Sequence, residues 1–210
     1  CAQRRARLGE YDPDTLTSIN NLAAVLQAQE RLEESEPLFR EALQKRQGRL
    51  RRSHPDTLTS LHNLAALLQA RGGHEEAEEL YREALEKRRE FLPEGHPDAL
   101  LSLGNLASLL EDLGRLDEAE ELAREALALR RLHLGEGHPD TMTSLNNLAS
   151  LRQKQGCLKE AETLYRQALH LCHTHLDAAN VDTLNSMFNL ATLLEELGQW
   201  DEAEDLFREE

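Results

Sequence analysis

His54-Pro55-Asp56-Thr57-Leu58-Thr59-Ser60-Leu61-His62-Asn63-Leu64-Ala65 decides the fold, because the segment returns along the chain with a period of 42 residues. Copies begin at Asp12, His54, His96, His138 and Asn180, with no insertion or deletion between them. A strict period between about 20 and 50 residues marks an array in which each unit packs only on its neighbours. The phase divides residues 1–210 into a single array. Residues 1–11 close a preceding repeat, 12–53, 54–95, 96–137 and 138–179 are full repeats, and 180–210 is truncated. The chain opens on Cys1 rather than Met, and both ends fall inside a repeat helix, so the sequence reads as a fragment whose capping elements lie elsewhere.

Composition agrees with an all-α chain. Only 4% of residues are aromatic, 30% are charged, and the formal net charge is −15. Such an acidic balance disfavours nucleic acid and anionic membrane surfaces as partners. Cys1, Cys157 and Cys172 form no even disulfide framework and fit a reducing, cytoplasmic setting. No apolar run approaches membrane-spanning length.

Each repeat reads as two helices. In the repeat from His54 to Gly95, Pro55 suits a first helical turn and Asp56 suits the positive end of the helix dipole. Leu61, Leu64, Ala65 and Leu68 then follow at the spacing of one apolar face, and Gly72-Gly73 ends the helix. A second helix carries Ala77, Leu80, Tyr81, Ala84 and Leu85. Neither helix can bury these faces alone, so stacking of neighbours is required.

The pattern Leu61, Leu64, Ala65, Leu68, then Gly72, then Ala77, Tyr81, Ala84 resembles the tetratricopeptide repeat (TPR). Its 42-residue form, with Asn-Leu-Ala in the first helix and a His-Pro-Asp joint, is similar to kinesin light chain and nephrocystin-type proteins. The resemblance implies a right-handed α-solenoid of tandem helix–turn–helix TPR units. Departures from the pattern carry expectations of their own. Glu30 stands where Gly72, Gly114, Gly156 and Gly198 make the turn, so that turn is expected to be the most strained. Ser35 replaces the packing alanine, and Ala123 replaces the aromatic found at Phe39, Tyr81, Tyr165 and Phe207. Arg152 replaces a leucine and is expected to lay its stem on the core edge with its head in water.

On a helical wheel, Thr59, His62 and Asn63 fall opposite the apolar stripe. The resemblance implies that this face lines a concave groove for peptides. Asn63 recurs at Asn21, Asn105, Asn147 and Asn189, and its carboxamide suits clamping of a peptide backbone. The other reading is that this Asn bonds a neighbouring helix and holds the stack together. Thr17, Thr59 and Thr143 share the face, and selectivity is expected from the varying residue before each Asn: Asn20, His62, Gly104, Asn146 and Phe188. Acidic rim residues Glu111, Asp112, Glu195 and Glu196, against Lys154 alone, favour neutral or basic peptides.

The remaining motifs read as structural. Arg40, Arg82, Arg124, Arg166 and Arg208 follow Glu residues and form an exposed ion-pair ladder. Arg4, Arg46, Arg88 and Arg130 are placed to bond terminal helix carbonyls, and Cys172 in that place loosens its joint. His170, Cys172, His173 and His175 have metal-ligand spacing but no supporting pair, so no metal or other cofactor is expected. Lys45, Arg46, Arg49, Arg51 and Arg52 read as a solvated joint, and Trp200 as packed at a turn. No catalytic constellation is visible, so the chain is read as no enzyme. The functional expectation is a protein–protein interaction scaffold resembling the cargo-binding repeats of kinesin light chain. Contact with a kinesin heavy chain would then run through regions outside this sequence. The alternative is the sensor or regulatory arm of a larger nephrocystin-like signalling NTPase.

Overall fold

The computed structural model describes residues 2–177 and 180–209, so Cys1 and Glu210 lie outside the described residues. Among those described there are eleven α-helices and no strand. They are α1 (Ala2–Leu8), α2 (Pro13–Ala28), α3 (Leu32–Arg49), α4 (Pro55–Ala70), α5 (His74–Phe91) and α6 (Pro97–Asp112), then α7 (Leu116–Leu134), α8 (Pro139–Lys154), α9 (Leu158–His175), α10 (Val181–Glu196) and α11 (Trp200–Glu209). From α2 onward the even-numbered members are the first helices of the repeats and the odd-numbered ones the second. The chain parts into two compact units, Cys1–Leu109 and Leu110–Glu210. In the first, α3 packs against both α2 and α4; in the second, α9 packs against both α8 and α10.

The recurring His-Pro-Asp starts each helix by a specific bond. His54, His96 and His138 offer Nδ1 to the backbone N–H of the aspartate two residues on, at 3.2, 3.2 and 3.1 Å. Asp12 and Asn180 do the same with Oδ1, at 2.9 and 2.8 Å. An unprotonated ring nitrogen thus fills the role that Asp, Asn or Ser usually takes at a helix N-cap. The proline that follows in four of the five repeats loses nothing, because its missing N–H would have no helical partner.

At the other end of each first helix a tight turn closes by a bond that spans five residues. Gly73 N–H reaches Leu68 O at 2.8 Å, and Arg31, Arg115, Cys157 and Gln199 repeat it at 2.9 Å. The turn needs a left-handed residue, which Gly72 supplies at φ +80°. Glu30 takes the same conformation at φ 60°, the one non-glycine to do so among the described residues, as expected of the glycine-free turn. Ser35 fits its packing site by donating its hydroxyl to Ala23 O at 2.7 Å.

The core is the predicted stripe. Leu61, Leu64, Ala65 and Leu68 are buried with Ala77, Tyr81, Ala84 and Leu85 in the first unit. Ala149, Ala161, Tyr165, Leu190, Ala191 and Leu194 form the matching cluster in the second. Alanines let the helices approach, and leucine and tyrosine fill what remains.

The joint between repeats differs from the sequence expectation. Arg46, Arg88 and Arg130 do not cap their own helix; each reaches the next first helix, fourteen residues on. Arg46 Nη1 donates to Ser60 Oγ at 2.8 Å and Asp56 O at 2.9 Å, and Nη2 donates to Thr17 Oγ1 at 3.1 Å. Arg4 bonds Ser18 at 2.7 Å, Arg88 bonds Ser102, and Arg130 bonds Ser144. The long side chain carries its head past the last turn, where the next helix offers a backbone carbonyl and a hydroxyl. Cys172 takes the place in the following joint, with Sγ 3.5 Å from Ser186 Oγ. The serine, present in all five repeats, is the partner that inspection of the sequence passed over.

On the outer face the ion-pair ladder forms and extends between repeats. Arg40 pairs with Glu36 at 2.7 Å and grips Glu76 of the next second helix through both oxygens at 2.7 Å. Arg166 does likewise with Glu162 and Glu202. These hydrogen bonds hold the carboxyls of Glu76 and Glu202 below their ordinary range. Arg152 corrects the expectation of a hydrated head: its side chain is only 17% exposed, held by Glu120 at 2.8 Å and Glu160 at 2.5 Å. Two carboxylates within reach of the guanidinium offset the loss of water.

Two outcomes test these joints. Glu30→Gly is expected to stabilise the fold by about 1 kcal/mol, by relieving a left-handed residue, as a rise in thermal midpoint would show. Ser60→Ala is expected to cost about 1–3 kcal/mol, by removing an acceptor from buried Arg46; an unchanged midpoint would refute the joint.

Candidate functional site

The candidate face is built from the polar side of the first helices. Thr17 and Asn21 on α2, Thr59 on α4, and Thr143 and Asn147 on α8 are exposed, while Asn63, Asn105 and Asn189 are half-exposed. The threonines are already satisfied locally. Thr59 and Thr143 donate to Pro55 O and Pro139 O at 3.0 Å, and Thr17 accepts from Arg46. The asparagines divide. Asn21, Asn63, Asn147 and Asn189 make no side-chain hydrogen bond among the described residues. Asn105 Nδ2 lies 2.9 Å from His62 Nε2 on the preceding first helix, the stack-holding role.

The residues expected to vary with the ligand largely turn toward neighbouring helices. Asn20 is only 6% exposed. Asn146 donates to Ser186 on α10 at 2.8 Å, and His62 bridges to Asn105. This corrects the reading of these three as open groove positions, because they lie where successive first helices meet and not on the outermost line. Gly104 is half-exposed, and a Cβ there would meet nothing within 4 Å. Phe188 is 52% exposed, its ring edge-on to Phe207 with centroids 6.1 Å apart. His62 meets Tyr81 in the same arrangement, at 5.5 Å. Burial pushes the His62 imidazole down to about 4, Arg88 adds to the effect, and Asp98 opposes it. Burial pushes the Tyr81 phenol up to about 12.

Charge along the rim is negative. Lys154 is paired with Glu111, and Gln153 donates to Glu196 at 2.7 Å. Glu195 and Glu196 remain exposed. The basic cluster of the second joint is largely spent inside the chain, and only part of it is solvated. Arg46 is buried, Lys45 pairs with Glu10 at 3.1 Å and with Glu41, and Arg49 donates to Tyr11 O.

Cys172 points into the core, 3.5 Å from Met142 Sδ, while His170, His173 and His175 are exposed. The His175 ring instead lies against Gly137, where a Cβ would come within 2.8 Å of it. Among the described residues no group of three His, Cys, Asp or Glu side chains is gathered as for a metal ion. No described helix is long and apolar enough to cross a membrane. Trp200, expected to pack at its turn, is 63% exposed. It opens α11, with its indole Nε1 near the turn glycine Gly198.

A family model of the tetratricopeptide repeat matches residues 14–90, 56–132, 98–172 and 140–210. Among solved structures, the nearly identical TPR-like repeats of a Podospora anserina protein assigned as a kinesin light chain are 30% identical, with a TM-score of 0.83 over 94% of each chain. BtubC (BKLC) from P. vanneervenii is 26% identical, with a TM-score of 0.81, covering 97% of this chain and 83% of that one. The pilF protein of Pseudomonas aeruginosa shares the fold at 18% identity and a TM-score of 0.67, covering 92% of this chain and 74% of that one. No curated protein gives a significant sequence match.

His62 makes stability depend on pH in a definite direction. Its folded pKa of about 4 lies below the ordinary 6.5, so the unfolded chain takes up a proton that the folded chain refuses. The group is neutral in both states above pH 6.5; stability then falls as pH drops toward 4 and levels off below. In His62→Asn, with the residue found at Asn20 and Asn146, urea midpoints between pH 7 and 4 are expected to fall less steeply than in the parent. Parallel curves would refute the assignment.

Proposed function

The chain belongs to the tetratricopeptide repeat family, and on that premise we propose that it is a protein–protein interaction scaffold taking peptide segments of partner proteins along the Asn-bearing face of its first helices. The observation that carries this reading is the set of Asn21, Asn63, Asn147 and Asn189, whose side chains make no hydrogen bond among the described residues. A carboxamide offers two donors and an acceptor, which matches the backbone of an extended peptide whatever its side chains. Among the described residues the face has no unpaired lysine to recruit acidic segments, since Lys154 is paired with Glu111. Neutral or basic peptides are therefore the preferred ligands, with Glu195 and Glu196 at the rim.

The likeness to kinesin light chain-type repeats supports cargo attachment as the cellular setting, in the cytoplasm. Contact with a motor chain would run through segments beyond this sequence. TPR arrays of this kind are typically non-enzymatic scaffolds.

A peptide array at low salt tests the reading. The parent chain is expected to retain neutral and basic peptides and to pass over acidic ones. Changing Asn21, Asn63, Asn147 and Asn189 together to Ala is expected to lower retention at least tenfold while the helical circular dichroism and its melting stay unchanged. Asn105→Ala is expected to lower the melting temperature instead. Unfolding of the fourfold variant, or selection of acidic peptides, would overturn the proposal.

A further inference from the structure

Away from the asparagine face, where α5 ends and α6 begins, the chain encloses a cleft of about 130 Å³. Pro55, Leu58 and Leu92 line it with Phe91, which is 56% exposed. Arg88 lines it too. The cleft lies about two helical turns from Asn63 along α4, by the rise of 1.5 Å per residue.

Arg88 is short of partners. The residue is 3% exposed, yet among the described residues its side chain makes one hydrogen bond, to Ser102, and its Nε–H is buried with no acceptor. The contrast with Arg46 is direct, since that guanidinium satisfies two hydroxyls and a carbonyl. Thr59, the counterpart of the Thr17 that serves Arg46, donates its hydroxyl back to Pro55 O. Asp98 lines the same cleft but forms no ion pair with Arg88. A buried cation served by one neutral hydroxyl is costly, and an anion brought to it would be stabilised. Burial lowers the Arg88 pKa, and the nearby charge of Asp98 opposes that shift without pairing with the guanidinium.

The walls limit what that anion can be. They are largely aliphatic and aromatic, so the body attached to the charge is apolar. The volume is close to the ~150 Å³ that accommodates one benzene ring, which restricts the body to the size of a leucine side chain. We propose that this cleft binds a small apolar carboxylate, with a leucine-sized body between Leu58, Leu92 and Phe91 and the carboxylate on the Arg88 guanidinium. That chemistry is presented both by the terminal residue of a polypeptide ending in leucine and by a free branched-chain acid. The site is separate from the asparagine face and stands whether or not peptides bind there.

Titration of the whole chain with 4-methylpentanoate, followed by heteronuclear NMR, tests the proposal. Saturable shifts are expected at Arg88 Nε–H, Phe91, Leu92 and His96. The amide 4-methylpentanamide is expected to bind about tenfold more weakly, because it forfeits the charge-assisted bonds. A tripeptide ending in leucine, with its terminus free or amidated, separates the two sources. Tighter binding of the free peptide points to a polypeptide terminus, and tighter binding of the pentanoate to a free acid. Arg88→Gln also breaks the joint to Ser102, so Ser53→Leu, which fills the mouth and leaves that joint in place, is the deciding variant. It is expected to abolish the shifts. Equal binding of acid and amide, shifts scattered over surface arginines, or full binding by Ser53→Leu would overturn the proposal.

Discussion

A guanidinium buried between one repeat and the next is the constraint on which the arrangement depends. Arg46 leaves water to sit among Ser60 Oγ, Asp56 O and Thr17 Oγ1. A desolvated cation tolerates little error in the position of its acceptors, because a lost bond there costs more than a neutral one. The arginine and its serine are separated by fourteen residues that include the whole inter-repeat loop. An inserted residue would move the serine out of reach, which gives a physical reason for a period free of insertions. Where Cys172 stands instead, the contacts to Ser186 and Met142 run through a neutral sulfur at 3.5 Å, and the joint loses its charge-assisted bonds.

The same geometry sorts the polar residues of the first helices into two kinds. His62 and Asn146, each standing just before an asparagine, reach the next first helix and are drawn into bonds with Asn105 and Ser186. The asparagine itself sits one position further round and stays open unless a neighbour is long enough to reach it. His62 is long enough, and Asn105 is thereby taken out of the open set. A position repeated in every unit therefore need not play one role in every unit.

Much of this was legible in the sequence, for reasons that lie in particular residues. The stripe Leu61, Leu64, Ala65, Leu68 and the left-handed turn at Gly72 follow from helical periodicity and backbone sterics, and both recur often enough to remove ambiguity. Glu30 could be picked out as the strained turn because four glycines mark the same place. The joints were harder. A wheel shows which side of a helix Arg46 occupies, but not that its reach ends on Ser60, which belongs to an element whose position depends on the loop between them. Arg152 departs from its expectation for the same reason, since Glu120 on α7 is remote in sequence and near in space.

Contact restricted to adjacent repeats also governs how the chain comes apart. A boundary between ordered and disordered repeats breaks a single joint wherever it falls, so the energy of a partly melted chain depends on which joint is broken and hardly on how many repeats lie beyond it. Beside the joints held by Arg–Ser bonds, the one built around Cys172 is the cheapest to open. Fraying that begins at α11 thus meets its weakest resistance on reaching α9, and the order of melting is written in the choice of one side chain.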